Sequence, residues 1–597
     1  MLTYKRSLLL LLCLSLLCLS SPSSGKPAAT APINYDQVKE LVSELIIKEM
    51  KKNDVTGLSI ALVDDQQVVW AQGFGYADEK NEREATPETV YRIGSLTDLF
   101  TATAAMQLVE QGGFDIDQPL KNYLPEFSIH TRFTTTSQIT PRMLMTHHSG
   151  LPSALQKGMW SSRPEPFTEV ATLINNEYAA YPPGYLFSYS TIGATLLGHA
   201  VERASGREYT SFIHDSLLQP LAMTHSGFFQ RRENGFLSKG YNKGREIADP
   251  PVRDIPANGL YSTALDLSRF MEMIFAHGRS GNHQVLKQET ISEMFRPQNV
   301  HVPLDLGLRM GLGWALSGLG DIDIQNAGIV AHHAGTSLLF HNQIILLPGH
   351  ALGVVVLANS STASKVVNKV AVRAITLALE AKAGIRQPEQ KKPVIVDALL
   401  AQEVQQDYAG HYASLAGLAT IKSKEDHLHV EVMNRTFQLL PLADGRYGIK
   451  YRLLGLFEFS LGELDYYELS RATVAGREIL LTSTKGRDMV IAEKIRQRPV
   501  PDAWLKRVGQ YRIENQGDDF PLLEDIRLRL DDGVLLAECA VPFFFKGVAR
   551  MPLLAISDTE AVVAGLGRGM GETIRVVPGN GGATLLYSGY VLKRKEE

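Results

Sequence analysis

A helix that runs straight into a β-hairpin, and far downstream a hairpin that runs straight into a helix, restrict this chain more than any other feature. Residues 36–52 carry Val38, Leu41, Val42, Leu45, Ile46 and Met50 at helical spacing. Two β-rich runs follow, 58–63 and 68–71, joined by Asp64-Asp65-Gln66-Gln67. Much later, 343–347 and 353–357 form a second hairpin that turns at Pro348-Gly349. A long helical pattern over 364–382 comes next and is stopped by Gly384. The segment between the two hairpins is rich in helices and loops. This order predicts an α/β (α+β) fold in which one antiparallel sheet is flanked by terminal helices and faced by a helical insertion.

The pattern changes after Gly384. Gln387-Pro388-Glu389-Gln390-Lys391-Lys392-Pro393 is a polar, proline-bounded linker, drawn over 387–400. Beyond it the chain reads as mainly β, with strict alternation in His427-Leu428-His429-Val430-Glu431-Val432. A weak repeat is visible: Gly410-His411-Tyr412 leads one hairpin and Gly509-Gln510-Tyr511 another, which turns at Asp531-Asp532-Gly533. The expectation is a β-barrel-like or lipocalin-like accessory region over 401–597, in two repeats of 401–500 and 501–597. At the other end, Lys5 and Arg6 precede an apolar run over 8–19 and then Ser20-Ser21-Pro22-Ser23-Ser24-Gly25. That is the pattern of a secretory signal over 1–25, which leaves 26–386 as the first folded unit. It predicts a secreted or periplasmic protein that touches a membrane only if the segment is retained.

Charge and cysteine use narrow the function. A formal net charge of -4, from 60 Lys+Arg and 64 Asp+Glu, offers no broad basic field, so nucleic acid is not an expected partner. Three cysteines, Cys13, Cys18 and Cys539, exclude a disulfide-stapled scaffold and a cysteine-rich zinc site.

Three separated segments carry chemistry. In Tyr91-Arg92-Ile93-Gly94-Ser95-Leu96-Thr97-Asp98, Ser95 opens a helix. Its own N–H is unpaired there and the positive dipole end lies beside it, which suits a nucleophile whose backbone also holds an oxyanion. In Phe187-Ser188-Tyr189-Ser190-Thr191, Tyr189 precedes a helix and can present its phenol to a neighbouring hydroxyl. In His332-His333-Ala334-Gly335-Thr336, a small-residue strand lets a substrate approach at Gly335, and Thr336 N–H can be a second oxyanion donor. The pairs His147-His148 and His332-His333 lack helical metal spacing and have no acidic cluster beside them in sequence. No metal and no organic cofactor is expected.

Taken in this order, the segments resemble the serine β-lactamase and penicillin-binding protein superfamily, most of all its class C β-lactamase, D-aminopeptidase and esterase branch. Met143-Leu144-Met145-Thr146-His147-His148-Ser149-Gly150-Leu151 and Asn258-Gly259-Leu260-Tyr261-Ser262-Thr263 look like the family as well. The resemblance implies Ser95 as acylated nucleophile, Tyr189 as its base partner and His333 as the strand residue facing substrate. It implies the N–H groups of Ser95 and Thr336 as oxyanion hole. Two positions depart from the family pattern. The lysine of Ser-x-x-Lys falls at Asp98, and the asparagine of Tyr-x-Asn falls at Thr191. An ionised aspartate would raise the proton affinity of Tyr189, where a lysine lowers it. The expected function is therefore an exported serine hydrolase acting on amide, ester or β-lactam bonds, with activity weakened at Asp98. The alternative is a catalytically silent relative that binds peptide-like or cell-wall-like ligands. A small-molecule or peptide-like partner, cell-wall fragments included, follows from either.

Overall fold

The computed structural model describes residues 33–596 apart from 229–235, 321, 397–401, 425–426, 454–456, 460–461, 485–486, 544–546 and 580–581. The signal-like segment over 1–25 lies outside the described residues, as does the end of the linker. Helix α1 (Tyr35–Lys52) begins in a reciprocal cap: the Asn34 side chain accepts from Gln37 N–H, and the Gln37 side chain accepts from Asn34 N–H. Strands β1 (Gly57–Asp64) and β2 (Gln67–Asp78) form the first hairpin. Helices α2 (Thr97–Glu110) and α3 (Thr191–Ser205) belong to the insertion. Strands β3 (Ala331–Thr336), β4 (His341–Leu347) and β5 (Leu352–Ala358) follow, and then α4 (Ser364–Ala383). Gly384 ends α4 in the left-handed conformation at φ 69°, which glycine adopts without a Cβ penalty.

The strands run antiparallel in the order β3-β4-β5-β1-β2, extended by short edge strands at both ends to eight. Leu58 of β1 lies opposite Ala358 of β5, so the two hairpins meet in the middle of one sheet. That pairing explains why β1 is buried along nearly its whole length and does not alternate. One face is covered by α1 and α4, where Val38, Val42 and Ile46 pack with Val366, Val370 and Ile375 on Ile60, Leu62, Val354 and Val356. The other face carries the larger core of the insertion, including Phe100, Leu196, Phe270 and Trp314.

The β-rich region forms two rings. In the first, a nine-stranded sheet is closed by an added pairing between Arg435–Pro441 and Tyr447–Leu453. The second is a closed barrel of eight strands from Gly509–Ile513 to Tyr590–Arg594. In the first ring the short strand Phe457–Phe459 stays outside the closure, paired among the described residues only to Tyr447–Leu453, and the closing pairings let each repeat stand as a ring of its own. The second barrel is fused to the sheet domain by a shared core. Ala180, Tyr181, Leu186 and Leu304 cluster with Trp504, Leu535, Leu553 and Met570. Polar contacts reinforce it: Ser153 donates to Glu572 from both N–H (2.9 Å) and Oγ (2.6 Å), and Lys157 pairs with Asp519 at 3.1 Å.

Residues 388–392 are exposed, and exposed polar stretches of this kind are preferred sites of proteolytic nicking. Limited proteolysis should nick the chain there without releasing either piece. Both fragments should elute together in native size-exclusion chromatography and part only in denaturant. Separation under native conditions would show that the shared core does not hold the barrel.

Candidate functional site

The turn that carries Ser95 lies directly on a strand. Ile93 leads into a 3-10 turn, Gly94–Leu96, which hands over to α2. Gly94 has φ 57°, and a Cβ there would sit 2.8 Å from the backbone of Thr336. Gly335 answers it from β3, where a Cβ would meet Ile93 O at 2.1 Å. Glycine is therefore required twice, so that two backbones can touch. The contact brings the turn carrying Ser95 N–H against the end of β3 carrying Thr336 N–H. Gly335, expected from the sequence to admit substrate, also lets the turn that carries Ser95 seat on β3.

Ser95 is 9% exposed, and its Oγ donates to Asn258 Oδ1 at 3.4 Å. Asn258 lies in the segment quoted above for its resemblance, with no role assigned to it there. Tyr189 approaches from the loop before α3. Its hydroxyl donates to Asp98 Oδ2 at 2.7 Å, and the Ser95 hydroxyl is a further hydrogen-bond partner of the phenol. Thr191 is buried at the first position of α3 and its N–H donates to Ser153 O at 2.7 Å. That bond fixes the loop. Ser190 caps α3 and donates to Pro152 O at 2.6 Å, while Asp305 accepts from Phe187 N–H and pairs with His148 at 2.7 Å.

Burial sets the electrostatics. Asp98 is 5% exposed, and desolvation pushes its carboxyl up to about 8 against the opposing effects of the Tyr189 hydrogen bond and the Arg568 charge. Tyr189 is held well above the usual phenol range, first by burial and then by Asp98. Burial pushes the imidazole of His333 down to about 4, and takes His147 well below its usual range. His333 Nδ1 lies 2.8 Å from Ala334 O, which puts its proton there and leaves Nε2 facing Asp98 Oδ2 at 3.8 Å. Near neutral pH the cluster Asp98, Tyr189, His147 and His333 carries no charge. The cation beside it is Arg568, whose guanidinium lies 4.8 Å from the Tyr189 ring centroid.

The fold also assembles what spacing in the sequence argued against. Asp98, His147 and His333 offer donor atoms within 4.8 Å of one another, a set that could hold a metal ion. A metal there would compete with the Tyr189 proton on Asp98 Oδ2, with the Ser190 N–H that His147 Nδ1 accepts at 3.4 Å, and with the Arg568 charge, whereas Asp98 Oδ1 is buried without a hydrogen-bond partner. The geometry favours a proton held between Tyr189 and Asp98.

A family model described as Beta-lactamase matches residues 42–377. Protein flp of Staphylococcus aureus (strain COL) is 26% identical over 323 residues, 54% of this chain and 63% of its own length. Beta-lactamase-like protein 2 of Dictyostelium discoideum is 28% identical over 300 residues, 48% of this chain and 53% of its own length. The chain thus spans less than two thirds of these relatives. The crystal structure of SurE with D-Leu superposes with a TM-score of 0.52 at 22% identity, covering 76% of this chain and 100% of the other, a likeness of fold.

An Asp98 carboxyl that titrates near 8 when folded and near 3.9 when unfolded stabilises the fold fully below about pH 4, and that stability is lost as pH rises through about 8. The buried histidines act in the opposite direction, below about pH 6.5. Asp98→Asn should therefore gain on the parent protein as pH rises, with the difference in melting temperature growing from pH 5 to about pH 8 and levelling off above it. A difference that does not depend on pH would mean that Asp98 ionises normally.

Proposed function

The chain belongs to the beta-lactamase family, and from that premise we propose that it is a serine acyl hydrolase in which Asp98, reached through Tyr189, is the final proton acceptor. The 2.7 Å hydrogen bond from Tyr189 to Asp98, with Ser95 as the other partner of the phenol, carries this reading. Ser95 Oγ attacks the acyl carbon while its proton passes to Tyr189 Oη, and the Tyr189 proton passes to Asp98 Oδ2. The N–H groups of Ser95 and Thr336 receive the oxyanion. Collapse of the adduct breaks the bond to the leaving group, which takes its proton back along the same path. Water then enters by the same relay and releases the acid, regenerating the Ser95 hydroxyl. The substrates are amides, esters or β-lactams.

Replacing lysine by aspartate turns a group that favours phenolate into one that accepts its proton. A base near 8 is well matched to mildly alkaline conditions. At pH 7 only roughly a tenth of such a group is ionised, which supports the expectation of weak activity there. The same neutral carboxyl supports a second reading, a ligand-binding relative without turnover.

Acylation by a fluorophosphonate or an activated ester should label Ser95, vanish in Ser95→Ala, and rise with pH to a midpoint near 8. The groups facing Asp98 in that titration are Tyr189, His333, His147 and Arg568. Asp98→Asn should cut the rate by ~10²-fold or more and remove the midpoint. Labelling that survives in Ser95→Ala would overturn the assignment. A folded protein unlabelled even at pH 9 would favour the binding reading.

A further inference from the structure

The second barrel encloses a cavity that the chemistry at Ser95 does not use. Its lumen measures about 320 Å³, and all eight strands contribute to the wall. Leu528, Ala537, Met551, Ile574, Leu585 and Leu592 make that wall apolar. A barrel of eight strands is just wide enough for its own side chains to fill, or for one small guest. Here short side chains leave room, with Ala537 and Cys539 alternating along the strand Val534–Ala540. The lumen is stopped at one end, where the helix Asp502–Leu505 buries Trp504 completely and the indole donates to Ser557 O at 2.7 Å. At the other end Leu522, Leu523 and Val541 are joined by Gln156 of the sheet domain.

The lining sets the chemistry of an occupant. Its two charged residues, Arg527 and Glu538, pair with one another at 2.7 Å. Burial pushes the Cys539 thiol up, so it stays protonated at neutral pH. Tyr511, Tyr587 and Tyr590 also line the space, and each gives its hydroxyl to a group outside the lining: Arg507 O at 2.7 Å, Glu572 at 2.8 Å and Asp519 at 3.2 Å. A charged guest would lose its water and find no partner. An apolar guest would supply the contacts that the walls of an empty cavity lack.

Tyr587 ties this space to the loop that carries Tyr189. Its hydroxyl donates to Glu572 Oε2, Glu572 Oε1 accepts from Ser153 N–H and Oγ, and Ser153 O accepts from Thr191 N–H. An empty lumen gives the Tyr587 ring room to turn inward and leave Glu572, and an occupant removes that room. The two arrangements therefore differ in affinity for a guest, which is the condition for a ligand to shift their balance. We propose that the lumen of the second barrel binds a small, uncharged, apolar molecule, and that its occupancy holds Tyr587 on Glu572 and so steadies the loop that carries Tyr189. Neither half rests on acyl transfer, because both are read without turnover.

The probe is N-phenyl-1-naphthylamine, whose fluorescence rises in apolar surroundings, titrated into the full-length chain. It should bind saturably, and 8-anilino-1-naphthalenesulfonate, the same ring system with a charge, should bind ~10-fold more weakly or worse. Ala537→Leu should weaken the neutral probe by ~10-fold or more by filling the lumen. Alkylation of Cys539 with N-ethylmaleimide tests the same space without a substitution: the probe should slow it by ~10-fold, and the alkylated protein should no longer bind. Amide hydrogen exchange of segments 150–156 and 188–194 should slow by ~5-fold with the probe bound. In Tyr587→Phe the probe should still bind within about threefold while that slowing disappears. No saturable binding, equal affinity for the charged analogue, or binding untouched by both Ala537→Leu and alkylation would overturn the site. Equal slowing in Tyr587→Phe, or loss of binding there, would overturn the link through Glu572.

Discussion

The site hangs from a contact between two backbones. The Gly94–Leu96 turn rests on the end of β3 with no side chain between them, because both Gly94 and Gly335 lack the Cβ that would hold them apart. That contact sets the turn that carries Ser95 against the end of β3 that carries Thr336. The sheet behind β3 is rigid for a related reason. Its central strands pair both hairpins of the chain and are covered on both faces. A catalytic constellation needs supports of this kind, since a displacement of about 1 Å can cost on the order of 10²-fold in rate.

Desolvation is the second organising force. An aspartate in water would be ionised at neutral pH, and opposite a phenol it would make proton transfer from serine harder. In this pocket burial outweighs both the Tyr189 hydrogen bond and the Arg568 charge, so the carboxyl is neutral until about pH 8. The same dry pocket neutralises His147 and His333. Position 98 therefore sets the protonation logic of the whole cluster.

The barrels give the chain a different relation between its parts than a string of modules would have. Glu572 and Tyr181 clamp the second barrel to the loops that hold Tyr189, and Arg568 reaches the phenol from beyond the linker. A charge lost at position 98, close in sequence to the nucleophile, is accompanied by a charge brought from a residue more than four hundred positions away. Nothing in the local sequence of either residue links them.

The sequence by itself determined the periodic elements. Helical spacing over 36–52, the two hairpins, the stop at Gly384 and the alternating strands after the linker are written in side-chain polarity, because each element must bury one face or one stripe. It also marked the segments of the candidate site, since Ser95, Tyr189, His333 and Thr336 stand in local patterns with a mechanical meaning. Only the tertiary structure decided the rest. That Asp98 bonds Tyr189, that Asn258 receives the Ser95 hydroxyl, and that Asp98, His147 and His333 converge are results of packing distant segments together. The separate closure of each barrel depends on a register between distant strands, and the reach of Arg568 on a loop whose glycines look like an ordinary turn. Sequence encodes what each residue can do over a few turns of chain. Which residues face one another in a dry pocket is set by close packing, which no short stretch contains.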